Sequence, residues 1–179
     1  MRFKYLLVVP LLAVSLKAIV DDIVDDIVDD IVDDPISSIL TFTPTVDSSA
    51  YGVADCIETA SGTLEIPSTY NGLPVTLIYA FAFRDCSSLT SITIPDSVTS
   101  IGIDAFFNCT SLESITIPDS VTEIRGSAFG NCSSLISISI PDSVTSIGQN
   151  AFYNCTSLIS ITIPDSVTSI SNWAFNNCS

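Results

Sequence analysis

From Leu89 onward the apolar and polar positions follow one pattern, written four times. Leu89–Ser111 reads LTSITIPDSVTSIGIDAFFNCTS; Leu112, Leu135 and Leu158 each open a near copy, and Leu158–Ser179 is one residue short. The period is 112 − 89 = 23 residues, with no insertion. In the first unit the apolar positions are Leu89, Ile92, Ile94, Val98, Ile101, Ala105, Phe106 and Cys109. Ser91–Ile94 alternates polar and apolar, as a half-buried strand does. Pro95 ends that strand because it has no amide proton to donate. Asp96-Ser97 makes a turn with side chains suited to capping backbone amides. Val98–Ile101 is a second short extended piece, and Ala105–Cys109 brings the chain round as a helical or irregular turn. One coil cannot bury two apolar corners alone. A fixed period of this length predicts a mainly β solenoid in which stacking turns each position into a ladder.

The same register reaches further back. VTLIYAFAFRDCSS, from Val75, aligns with VTSIGIDAFFNCTS, and Leu64-Glu65-Ile66-Pro67 matches the strand and its proline. Ser68–Pro74, with an Asn71-Gly72 turn signal, interrupts this first, atypical unit. The solenoid is therefore expected over residues 64–179, as about five repeats. Residues 36–63 carry no clean repeat, but Ile39–Thr43 and Tyr51–Ile57 read as short strands. They are expected to cap the first coil, which would otherwise expose core and an unpaired strand edge.

The N-terminus has a different pattern. Arg2 and Lys4 precede the apolar run Tyr5–Leu16, and Ala18 is a small residue at a suitable cleavage position. Residues 1–18 read as a secretory signal peptide, with an uncleaved signal anchor as the rival. Residues 19–35 repeat Ile-Val-Asp-Asp up to Pro35. Ile, Val and Asp are poor helix formers, and like charges four apart repel, so the tract reads as a charged low-complexity spacer. Calcium-dependent ordering of its paired carboxylates and an assembling helix are the alternatives.

Charge narrows the function classes. Five basic against twenty acidic residues give a formal net charge of −15, which repels phosphate backbones. The chain has no histidine, and so lacks the commonest general base and zinc ligand. An enzyme is not expected, nor are a cofactor, a metal site, nucleic-acid binding, or membrane insertion once the signal is removed.

The unit L-x-S-I-T-I-P-D-S-V-T-S-I-x-x-x-A-F-x-N-C-x-S resembles the BspA-like, or Treponema-type, leucine-rich repeat of bacterial and protist surface proteins. Gly62–Val75 is similar to that family's usual first repeat. The resemblance implies a right-handed leucine-rich-repeat coil of short parallel strands with short helical or irregular turns. It also implies export and a role in adhesion or protein binding without catalysis.

Each ladder offers a functional and a plainer reading. Cys86, Cys109, Cys132, Cys155 and Cys178 recur every 23 residues. Stacked equivalents point in parallel, so a buried reduced ladder is preferred to bridges along it. Cys56 stands outside the register, and Cys56–Cys86 is the candidate disulfide. Asn108, Asn131, Asn154 and Asn177 each precede Cys and then Thr or Ser, a glycosylation sequon in a eukaryotic host. The plainer reading is that they bond turn backbone between coils. Asp96, Asp119, Asp142 and Asp165 suit turns, with a weak calcium site as the alternative. Thr93, Thr116, Ser139 and Thr162 project from a sheet expected to be concave, as a hydroxyl array that could meet a ligand or order water or ice. Larger, variable side chains stand at Glu113, Arg125, Gln149, Tyr153 and Trp173, and hot spots favour such residues. The expected function is an exported binding module for a protein or glycan. The alternative is a structural spacer, self-associating through its open C-terminal coil.

Overall fold

The computed structural model describes residues 38–178. The signal-peptide and acidic-spacer readings, residues 1–18 and 19–35, lie outside the described residues.

Every 23-residue unit contributes one strand to each of two sheets. The first sheet contains β1 (Leu40–Pro44), β2 (Tyr51–Cys56), β5 (Leu73–Ile78), β7 (Ser100–Ile101), β9 (Glu123–Ile124), β11 (Ser146–Ile147) and β13 (Ser169–Ile170), in that spatial order. The second contains β3 (Ser61–Glu65), β6 (Ser88–Thr93), β8 (Ser114–Thr116), β10 (Ser137–Ser139) and β12 (Ser160–Thr162). Pairing between successive coils is parallel and keeps the sequence register: Ile92 opposes Ile115, and Ile138 opposes Ile161. A short strand β4 (Thr69–Tyr70) folds back on β5 through Asn71-Gly72, where φ is 49° and 75°. Two left-handed residues are what a tight antiparallel turn between twisted strands needs. At the other end β1 runs antiparallel to β2, so a hairpin covers the edge of the first sheet. The connection from Ala105 to Cys109 and its equivalents contains turns and no helix, so the helical option falls away.

The core is a set of vertical ladders. Leu, Ile and Val rungs at Leu112, Ile115, Ile117, Val121 and Ile124 are buried, and the same positions are buried one coil either side. Phe83, Phe106, Phe129, Phe152 and Phe175 stack face to face, with ring centroids 5.0–5.5 Å apart and planes within 13° of parallel. This separation follows the strand spacing of about 4.8 Å.

Polar ladders close the coils onto one another. Ser97 donates to the Val75 carbonyl at 2.7 Å and Ser143 to the Val121 carbonyl at 2.6 Å, and Ser120 donates likewise to Val98. The serine of the Pro-Asp-Ser corner thus ties adjacent coils instead of capping its own turn, because stacking places an otherwise unmet carbonyl beside it. Thr99, Thr145 and Thr168 donate to the equivalent threonine carbonyl one coil back. Each such bond contributes on the order of 1 kcal/mol.

The recurrent asparagine has two reasons to be there. Asn108, Asn131, Asn154 and Asn177 hold φ of 59–63°, a left-handed conformation that asparagine tolerates better than most residues. Their amides also form a ladder: Asn108 donates to Asp85 at 2.7 Å, Asn154 to Asn131 at 3.1 Å, and Asn177 to Asn154 at 2.6 Å. The partner is the neighbouring side chain, whereas the sequence reading has these residues bonding turn backbone between coils. Asn154→Ala is expected to lower stability by about 2 kcal/mol, and Asn154→Gly by about half that, since glycine relieves the left-handed strain but not the lost bonds. Equal losses in urea titrations would show that the backbone conformation carries no part of the cost.

Candidate functional site

Once the ladders are accounted for, few exposed side chains remain that could discriminate a ligand. Ile136 and Ile159 are exposed just before strands of the second sheet, and Phe81, Ile103, Tyr153 and Trp173 on the segments after strands of the first sheet. Two grooves meet there at Ile103 and Arg125, which line both. One, of about 480 Å³, is bounded by Glu123, Arg125, Gly126, Gly148, Ser169 and Ser171; the other, of about 380 Å³, by Leu77, Tyr79, Ala80, Ser100 and Gly102. Ile103 is half exposed between them.

Glycine makes this surface recede. A Cβ on Gly148 would stand 2.6 Å from the amide nitrogen of Gly126 and 2.7 Å from the carbonyl carbon of Arg125. Backbone therefore packs directly on backbone, and the groove floor sits below the neighbouring side chains.

The two cationic side chains among the described residues belong to this region. Arg125 donates through Nε to Glu123 Oε1 at 2.6 Å, with both side chains nearly half exposed, so the pair adds under about 1 kcal/mol of stability. Arg84 reaches across coils to Asp104 Oδ2 at 3.1 Å and packs over the Phe107 ring at 4.9 Å and the Phe81 ring at 5.6 Å. Phe81 is half exposed, and Trp173, its equivalent four coils on, is 60% exposed. Both hold a positive φ, 68° and 58°, at a corner that also turns at Asp104, Ser127 and Asn150. That corner accepts unlike side chains because they point outward.

The candidate residues read from sequence separate into two groups. Thr93, Thr116, Ser139 and Thr162 lie exposed on the second sheet in strict register, and Glu113 sits beside them just before β8. Arg125, Tyr153 and Trp173 lie on the segments following the first sheet. Tyr79, Phe81, Arg84 and Ile103 were missing from the expected set. Their signal was present as departures from the repeat: YAFAFRD in the first unit against GIDAFFN in the next.

The cysteine ladder takes no part in this surface. The thiols of Cys109, Cys132, Cys155 and Cys178 donate to the carbonyls of Phe83, Phe106, Phe129 and Phe152, at 3.0–3.2 Å. Burial pushes Cys155 up to about 12 and raises Cys109, Cys132 and Cys178 as well, so these are poor nucleophiles. Among the described residues no cluster of three or more acidic, cysteine or histidine side chains could hold a metal ion. Nor is any described helix long and apolar enough to cross a membrane.

The repeat register is matched as a family signature: residues 64–179 correspond to the BspA-type leucine-rich-repeat region, in six copies. The chain belongs to the BspA-type leucine-rich-repeat family. Solved structures of leucine-rich-repeat proteins are similar over most of this chain. The T. pallidum leucine-rich-repeat protein is 36% identical with a TM-score of 0.74, over 79% of this chain and 65% of that one. A leucine-rich cell surface protein of Faecalibacterium prausnitzii is 38% identical with a TM-score of 0.71, over 78% of this chain and 35% of that one. A leucine-rich-repeat protein of Bacteroides ovatus is 37% identical with a TM-score of 0.68, over 76% and 37%. This BspA-type chain thus spans less than two thirds of each of those structures. No curated protein matches it.

Proposed function

We propose that this BspA-type chain is an exported, surface-located binding module that recognises a protein or glycan through the face around Ile103 and Arg125, without catalysis. The observation that carries this reading is the division of labour within the coil. The repeated residues are consumed by stacking and by inter-coil hydrogen bonds, whereas the segments after the first-sheet strands carry exposed aromatic, aliphatic and arginine side chains beside two grooves. Side chains of that kind dominate binding energy at interfaces. Surface location is supported by the family and by the Faecalibacterium relative, itself a cell surface protein.

The test is retention of cell-surface proteins and glycans by the immobilised chain. Ile103→Asp with Arg125→Ala is expected to weaken binding at least about tenfold, roughly 1.4 kcal/mol, with an unchanged melting curve. Thr116→Val with Ser139→Ala is expected to leave it unchanged. The reverse result would move the contact to the hydroxyl sheet, and no retention from any surface would count against a binding role.

A further inference from the structure

Cys86 is the first rung of the cysteine ladder, and its surroundings differ from those of the later rungs. Where Cys109, Cys132, Cys155 and Cys178 each hold a phenylalanine carbonyl one coil back, Cys86 meets the cap. Its Sγ lies 3.7 Å from the carbonyl oxygens of both Cys56 and Ile57. Cys56 Sγ lies 3.5 Å from that same Ile57 oxygen. The two sulfurs thus converge on one atom from segments 86 − 56 = 30 residues apart. Both residues are buried, Cys56 at the end of β2 and Cys86 beneath the first full coil. The ladder cysteines have no such convergence, because equivalent side chains of stacked coils run parallel and are already engaged.

We infer that Cys56 and Cys86 form a disulfide that staples the antiparallel cap to the first coil when the chain folds in an oxidising compartment. The oxidant is a disulfide, either oxidised glutathione or an oxidoreductase. The Cys86 thiolate attacks one of its sulfurs and expels a thiolate, leaving a mixed disulfide on Cys86. Cys56 then loses its proton, attacks the Cys86 sulfur and expels the second thiolate. Two S–H bonds are replaced by one S–S bond, and the oxidant leaves as two thiols. Because both sulfurs are buried in the finished fold, exchange occurs while the β1–β2 hairpin is still undocked.

The test is peptide mapping of the full chain after folding with oxidised and reduced glutathione, followed by alkylation in denaturant without reductant. The expected map shows a linked Cys56–Cys86 peptide pair and 6 − 2 = 4 alkylated cysteines. Adding reductant is expected to lower the wild-type Tm by about 10 °C, the order expected for opening a loop of this length. Reductant is expected to leave the Tm of Cys56→Ser unmoved. Six alkylated cysteines, a bridge within the ladder, or a wild-type Tm indifferent to reductant would each overturn the assignment. The map and the wild-type melt stand even if the variant does not fold.

Discussion

Phe129→Ala is expected to lower unfolding free energy by about 4 kcal/mol, within the range of buried phenylalanine truncations. The ring is fully buried and lies between Phe106, at 5.3 Å and 3°, and Phe152, at 5.5 Å and 7°. Truncation removes its own apolar area and one stacking face from each neighbour. The coils cannot close the gap, because their spacing is held by the backbone ladders on both sheets. In a stack where each coil contacts only its neighbours, the loss falls on a central interface. Urea unfolding is therefore expected to broaden as well as shift, as the halves on either side of the lesion uncouple. Phe175→Ala, in the half-buried last described coil with one stacked ring, should cost about half as much or less. Equal losses at the two positions would mean that stacking between coils contributes little.

Gly148→Ala is expected to cost about 2–3 kcal/mol, the range for overpacking a tight contact. The added methyl would meet the backbone of Arg125 and Gly126, which cannot rotate away as a side chain would. The Gly148 amide also donates to the Ile124 carbonyl at 2.7 Å, so relieving the clash by separating the coils would break that bond. The substitution should also reduce binding at the groove beyond its effect on stability, because Gly148 and Gly126 line it together. A chain as stable as the wild type, measured by thermal and urea unfolding, would show that the coils can separate at this point at little cost.

The period, the strand positions and the core rungs were legible in the sequence because a repeat states each constraint several times. Proline and the alternation at Ser91–Ile94 marked one sheet, and Val98–Ile101 marked the other. The destinations of the polar side chains were not legible. Ser97 looks equally suited to capping its own turn, and only stacking shows that the Val75 carbonyl lies beside it. Asn108 could be placed between coils, but not as donor to Asp85, because that pairing depends on the side-chain direction at a left-handed residue. The candidate site was half legible. Arg125, Tyr153 and Trp173 stood out as departures within regular units. Tyr79, Phe81 and Arg84 were hidden because their whole unit is atypical, and the groove itself arises from glycine backbones, which carry no side-chain signal.

The ring spacing of 5.0–5.5 Å sets a pitch for everything the molecule displays, because each coil carries its variable side chains upward by the same step. An extended peptide repeats the direction of its side chains every two residues, about 6.6 Å. Laid along the stack, such a peptide falls out of phase by more than an ångström per coil, and after two coils its side chains face ridges instead of gaps. A partner gripping several coils at once therefore has to cross them, or present groups whose own period is close to that of the stack. The spacing of the core, though it touches no ligand, thus acts as a filter on the shapes that can be held.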